Sequence, residues 1–374
     1  MVKTFVALSA LAFAVSVLAN APACPANPPS STTTPKPPTS TIATATSSGA
    51  PSGTVVPTVP PPCATPFKYD RGDCMVNLGG LSHLLSVRGS EKAKENPKIF
   101  AIAPPWGIHS DYHLAGLKPL QDKYSFVFLT PAGNTPSERP ANPLDISVTQ
   151  NAKELELLRQ FLGLDKIHVT GHSAGGSAAL LYAEEYPDHV ASLTLQEACL
   201  EDYDDSATFT QFLTKWSDDP RYQSAITSLP AILNISDPNY PMTDTALASA
   251  LIAILPLYFA DPALGTGLMQ ELSNEPRLPD AYANYENTLS LVSGILAPNF
   301  AKLSNVKAPT LVTVGQYDMF CSENVARLIH KGIKSSQLHV FDNCGHFPWY
   351  EKATEFYSVV GGFWAKQTRG GDQY

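Results

Sequence analysis

Apolar positions along this chain follow two rhythms, and their alternation predicts the fold class. Residues 98–103 and 124–130 are almost continuously apolar, as expected for strands covered on both faces. Residues 166–170, 192–195, 309–314 and 337–341 predict further buried strands, and residues 80–88 alternate weakly as one more. Between them, residues 145–162 place Leu155, Leu158 and Leu162 at helical spacing. Residues 173–186, 322–332 and 352–365 predict three more helices. Strands alternating with helices imply an α/β domain with a mostly parallel sheet and helices on both faces. Residues 200–298 break the rhythm, with helical spacing, several prolines and no clear strand. They predict a helical cap inserted between a first core part, 63–199, and a second, 299–374. No internal repeat is present.

The N-terminal residues have a different pattern. One lysine, Lys3, precedes an apolar run over residues 5–18, and small residues stand before Asn20. This predicts a signal peptide over 1–19, cut after Ala19. A run this short falls below the roughly 20 residues a membrane-spanning helix needs. Residues 20–62 contain 12 Pro and 15 Ser or Thr, with Lys36 as the sole charge. Such a segment buries too little apolar area to offset its ordering entropy, so a disordered stalk is expected. The product is expected to be secreted and extracellular, the stalk serving as a spacer or a cell-wall tether.

Composition narrows the partners. The formal net charge of −9 becomes −10 once Lys3 is lost, and no basic cluster offsets it. That balance disfavours nucleic acid and anionic membrane surfaces. Six cysteines in an exported chain make disulfides expected. Position favours Cys321–Cys344 first and Cys63–Cys74 second, leaving Cys24 and Cys199 free or joined. Asn234 begins the one N-glycosylation sequon.

Gly171-His172-Ser173-Ala174-Gly175 fits the pattern G-x-S-x-G between a predicted strand and a predicted helix. The chemistry needs a sharp strand-to-helix turn that lifts the serine hydroxyl above the sheet, and small flanking residues permit the close approach. Asp318 follows a buried strand, and His346 lies 28 residues further on, again past a strand. Loops at the carboxyl ends of parallel strands are where such sheets place functional groups. Ser173, His346 and Asp318 are therefore the candidate nucleophile, base and orienting acid. The Ala174 N–H is one candidate oxyanion donor. The loop after residues 98–103 should supply the second. Pro104 and Pro105 have no N–H, which leaves Trp106 or Gly107, and Trp106 is preferred. His109 and His113 lack partners at metal-ligand spacing and are expected to be packed or solvated, so no metal or cofactor is expected. His172 is expected to support the turn. The acidic run 201–205 is expected to be a solvated loop, with capture of a cationic substrate group as its sharper alternative.

With these residues in place, the chain over about 80–366 resembles the α/β-hydrolase superfamily, and within it the proline iminopeptidase group. Residues 131–140, beginning Pro131-Ala132-Gly133-Asn134, are similar to that group's post-strand signature P-R-G-x-G-x-S-x-R-P. Residues 171–176, 343–346 and 255–262 also fit. The resemblance implies an α/β-hydrolase fold with an inserted helical cap. It departs where the group's His-Gly-Gly-Pro is replaced by Ala103-Pro104-Pro105-Trp106, where Ala132 replaces arginine, and where Ala174 replaces a frequent tryptophan. Recognition of an N-terminal amine would need cap carboxylates, for which Glu201, Asp202 and Glu271 are the candidates.

The expected activity is serine hydrolysis of a small ester, lactone or amide, with Trp106, Glu201 and Asp202 at the substrate. One alternative is an aminopeptidase acting on a short peptide with N-terminal proline. Another runs the same triad through a peracid, as cofactor-free haloperoxidase relatives do, and the large apolar cap disfavours it. A different class is a catalytically silent binding protein on a hydrolase scaffold.

Overall fold

The structure is a computed structural model that describes residues 59–90, 96–233, 243–265, 267–268, 278–294 and 296–368. The expected signal peptide, most of the expected stalk, Cys24, the Asn234 sequon and Glu271 lie outside the described residues.

Eight strands form one sheet: β1 (Gly72–Leu78), β2 (Leu81–Arg88), β3 (Lys98–Ile102), β4 (Ser125–Thr130), β5 (Ile167–His172), β6 (Val190–Gln196), β7 (Thr310–Gly315) and β8 (Ser336–Phe341). Their spatial order is β1-β2-β4-β3-β5-β6-β7-β8. The β1–β2 and β2–β4 pairs are antiparallel, and every later pair is parallel. All residues of β3, β4, β5 and β7 are buried, which explains why β3 and β4 read as largely apolar runs. The described chain is ordered before Cys63. Cys63 donates its N–H to the Met75 carbonyl, Met75 donates to the Pro61 carbonyl, and Pro62 bridges to Met75. β1 escaped the sequence pattern because its burial alternates only at its end.

Among the described residues, nine helices have six or more residues: α1 (Asp111–Gly116), α2 (Val148–Phe161), α3 (Ala174–Glu185), α4 (Ser206–Ser217), α5 (Pro220–Ser228), α6 (Asp244–Ile254), α7 (Ala281–Val292), α8 (Glu323–Gly332) and α9 (Ala353–Gln367). One core packs α2, α3 and α8 on one face of the sheet, through residues such as Leu155, Leu158, Leu180 and Ile329. A second packs α1 and α9 on the other, through Tyr112, Phe126, Phe128 and Trp364. Between β6 and β7 the described residues form helices and turns and no strand. These helices have their own cluster, with Trp216, Tyr222 and Ile254 packed against Met319 of the loop after β7.

The topology positions the site. After β3 the chain places β4 on one side, and β5 then pairs on the other side of β3. A crevice opens at the carboxyl end of a sheet where the order reverses in this way. The loop 103–107 leaves β3 there, and Ser173 follows β5.

Candidate active site

Ser173 stands between β5 and α3 with φ +57° and ψ −130°, a conformation strained for a residue with a Cβ. The turn survives because its flanks have no side chains. A Cβ on Gly171 would sit 2.2 Å from the Gly175 carbonyl oxygen, and one on Gly175 would sit 2.6 Å from that of Ile102. The Ser173 N–H donates to the Gln196 carbonyl at 3.0 Å, which ties the elbow to β6. Ser173 is half-buried, and its Oγ contacts Cys321 Sγ at 3.9 Å. Ala174 opens α3, so its N–H lies among the donors that a helix start leaves without an intrahelical partner.

Asp318 and His346 are brought together. His346 Nδ1 donates to Asp318 Oδ2 at 2.6 Å, and both residues are buried. Asp318 Oδ1 accepts from the N–H groups of Phe320 and Cys321, each at 3.0 Å, so both oxygens are fixed. With its proton on Nδ1, His346 keeps Nε2 as a base. No Ser173–His346 hydrogen bond forms among the described residues; such bonds are commonly long before substrate binds. The histidine loop is pinned from the cap side, where His346 N–H donates to the Tyr258 carbonyl at 2.7 Å. Glu351 accepts from Ala260 and Asp261 N–H at 2.9 and 3.1 Å and also from Gly345 N–H.

The cysteine pairing differs from the expectation. Cys321 is bonded to Cys199, and Cys344 is a buried free thiol. The Cys321–Cys344 bridge is therefore not formed. Cys344 sits beside Glu351, and its carbonyl rather than its sulfur meets the acid loop, accepting from Tyr317 N–H at 2.7 Å. Burial pushes the Cys344 thiol well above its ordinary range. Cys199 leaves β6 beside Ser173, which brings it to Cys321 with Cα atoms 4.7 Å apart. Cys63 is joined to Cys74.

The acidic run is engaged elsewhere. Glu201 accepts from Ala297 N–H and Asp202 from Phe300 N–H, each at 2.8 Å, where the cap returns to the core. Asp204 accepts from Ser206 N–H, and Asp205 from Thr208, Ser322 and Asn324. Each of the Glu201 and Asp202 carboxyls thus holds backbone at the cap junction. Trp106 is half-buried, and its carbonyl accepts from Asn284 Nδ2 at 3.2 Å.

The histidines near the elbow are packed into the site, and Glu197 beside them escaped the sequence reading. His172 Nε2 donates to the His346 carbonyl at 2.9 Å, so its Nδ1 accepts from the Tyr112 hydroxyl at 3.0 Å. Burial, then the nearby His346 and His113, hold His172 well below the ordinary range, hence neutral. His113 Nε2 donates to Gln196 Oε1 at 3.2 Å, and burial pushes this histidine down to about 4. His109 meets the Leu278 carbonyl through Nε2 at 2.8 Å. Among the described residues no cluster of metal-binding side chains exists. Glu197 follows β6 with φ +46°; Oε1 accepts from Thr313 Oγ1 at 3.1 Å, and Oε2 is buried without a hydrogen bond, 3.8 Å from His172 Nε2. Burial and the nearby Asp318 hold its carboxyl well above the usual range. A charge directly after an apolar strand was its only sequence signal. Aromatic rings flank the dyad: Tyr258 stacks on Phe320 at 4.0 Å and lies 5.3 Å from the His346 ring, and Phe209 of α4 meets Phe320 edge-on.

The α/β hydrolase fold family matches residues 107–226. Proline iminopeptidase of Saccharolobus solfataricus is 27% identical over 267 residues, covering 68% of this chain and 80% of that protein. A 2-hydroxy-6-oxononadienedioate/2-hydroxy-6-oxononatrienedioate hydrolase of Pseudomonas putida is 26% identical over 216 residues, covering 56% and 66%. Among solved structures, an α/β fold family hydrolase from Bacillus anthracis superposes with a TM-score of 0.61 at 20% identity, covering 78% of this chain and 98% of that one. The chain has the α/β hydrolase fold, and the relatives it is similar to are hydrolases. A proline iminopeptidase of Lactobacillus helveticus is likewise 25% identical over 288 residues, covering 72% of this chain and 90% of that protein.

Proposed function

We propose that the protein is a secreted serine hydrolase that cleaves a small, uncharged ester, lactone or amide through an acyl-enzyme on Ser173. The observation that carries this reading is the buried His346–Asp318 hydrogen bond of 2.6 Å beside a serine held at φ +57°. His346 Nε2 takes the Ser173 proton as Oγ attacks the carbonyl carbon, then returns it to the leaving group as the acyl-enzyme forms. Water, deprotonated by the same nitrogen, releases the acid. Asp318 holds the Nδ1–H tautomer and stabilises the imidazolium. The Ala174 N–H and one N–H of the Trp106–Gly107 segment serve the oxyanion. Export rests on the N-terminal apolar run and the Ser/Thr/Pro stalk.

The aminopeptidase alternative draws support from the proline iminopeptidase relatives. It is disfavoured by Glu201 to Asp205, whose carboxylates hold cap and acid-loop groups, and by the aromatic rings beside His346. The test is a paired assay of wild type and Ser173→Ala on a short-chain nitrophenyl ester and a proline nitroanilide with its amine free. Ester turnover that falls at least 10⁴-fold in the variant is expected, on the order of triad losses elsewhere. Nitroanilide turnover abolished by blocking the amine would establish the aminopeptidase instead. Equal rates in wild type and variant would refute the nucleophile.

A further inference from the structure

The loop after β3 must supply an oxyanion donor although two of its residues are prolines. Its conformation is set through its carbonyls, and the partners come from outside the sheet. The Pro104 carbonyl accepts from Asn134 Nδ2 at 2.9 Å, in the loop after β4. The Trp106 carbonyl accepts from Asn284 Nδ2 at 3.2 Å, and the Gly107 carbonyl accepts from Asp280 N–H at 2.8 Å. Both of these partners belong to the start of the cap helix α7. Contact there is close: Gly107 has φ +70°, and a Cβ on it would lie 2.0 Å from the Asp280 carbonyl oxygen. Asp280 is itself over-determined. Oδ1 caps α7 by accepting from Ala283 N–H at 3.0 Å, and Oδ2 accepts from Thr135 Oγ1 at 2.5 Å and from Thr135 N–H at 3.2 Å. Asp280 and Asn284 are both about 3% exposed.

In a trans peptide the carbonyl and the next N–H point in opposite directions. Holding the Trp106 carbonyl against α7 therefore turns the Gly107 N–H away from the cap. Because the Pro104 and Trp106 carbonyls are both held, the Trp106 N–H between them has little freedom. The other wall of this loop is the elbow helix, since Gly175 packs on Ile102 and Pro104. A misplacement of about 1 Å in such a donor costs roughly 100-fold in rate.

We propose that Asn284, with Asp280 beside it, is a positioning residue that sets the oxyanion loop from the cap, so that cap docking fixes kcat. The proposal rests on the serine-hydrolase reading above. Asn287, one turn along the same helix, offers an internal control. It is also buried and also donates its amide, at 3.3 Å, but to the Ile146 carbonyl rather than to the oxyanion loop.

The experiment compares full-length wild type, Asn284→Leu, Asn284→Asp and Asn287→Leu on a short-chain nitrophenyl ester, with a phenylboronic acid as the probe of tetrahedral-adduct binding. Both Asn284 variants should lose roughly 10- to 100-fold in kcat with KM within about twofold of wild type, and boronate affinity should fall by a similar factor. Asn287→Leu should lower the melting temperature and leave kcat and boronate affinity unchanged. Should one Asn284 variant fail to fold, the other carries the comparison. The proposal fails if a folded Asn284 variant keeps its kcat, or if Asn287→Leu loses kcat to the same extent. Wild-type turnover no greater than that of Ser173→Ala overturns the serine-hydrolase reading itself, and the proposal with it.

Discussion

Ser173 occupies a backbone conformation that costs a residue with a Cβ about 1 to 3 kcal/mol, so its neighbours must hold it there. Part of the restraint is the bond from its N–H to Gln196, and part is the absence of side chains at 171 and 175. The Gly171 obstacle is backbone, which no rotamer change relieves. Gly171→Ala should therefore destabilise the fold by several kcal/mol and lower the melting temperature by 10 °C or more. A thermal scan followed by circular dichroism checks this, and a shift under 3 °C would mean the elbow relaxes freely. Residues 171–175 were legible because such a turn admits few residue types. Glu197 was not: its strained φ and its oxygen left without a hydrogen bond arise from where β6 ends relative to β7 and Asp318. No local pattern encodes that juxtaposition.

At the level of elements, the strands were legible wherever both faces are covered, because burial on two sides leaves an uninterrupted apolar run. The antiparallel β1, half-exposed along its length, gave no such signal. Disulfide pairing failed for a related reason. Closeness in sequence to Asp318 and His346 suggested Cys321–Cys344, whereas pairing follows Cβ geometry at the loop ends. The observed Cys199–Cys321 bridge joins the exit of β6 to the acid loop and spans 122 residues. Closing a loop of that size stabilises by about 4 to 5 kcal/mol in the chain-entropy account. The double variant Cys199→Ala/Cys321→Ala should accordingly melt roughly 10 °C lower. Because Cys321 donates its N–H to Asp318 and touches Ser173, ester turnover should fall as well. Thiol titration gives an independent check. Native protein should leave Cys344 unreactive, and unfolding without reductant should expose it while the two bridges persist.

For the whole molecule, the acidic sequence hides a set of carboxyls that folding keeps protonated. Burial, with Asp202 nearby, pushes Glu184 up to about 9, and burial of its carboxyl pushes Glu201 up to about 7. Glu197 is raised as well, by burial and then by Asp318. A folded-state value above the unfolded one means the native state binds the proton more tightly. The stability each group contributes is then full below about 4.5 and is lost as pH rises through the folded value. Glu156 works in the opposite sense. Burial raises it, but Arg159, Gln160 and Tyr182 together bring it below its ordinary value, so its contribution is lost as pH falls through that lower value. Stability should therefore peak near pH 5 and decline toward pH 9. Glu184→Gln isolates one of these groups, since it keeps an amide oxygen and cannot ionise. Relative to wild type, the variant's melting temperature should rise steadily between pH 5 and 9, gaining several degrees, and the difference should flatten above 9. Melting curves across that range decide the matter. A difference independent of pH would show that Glu184 titrates at its ordinary value in the folded protein, and that burial does not shift it.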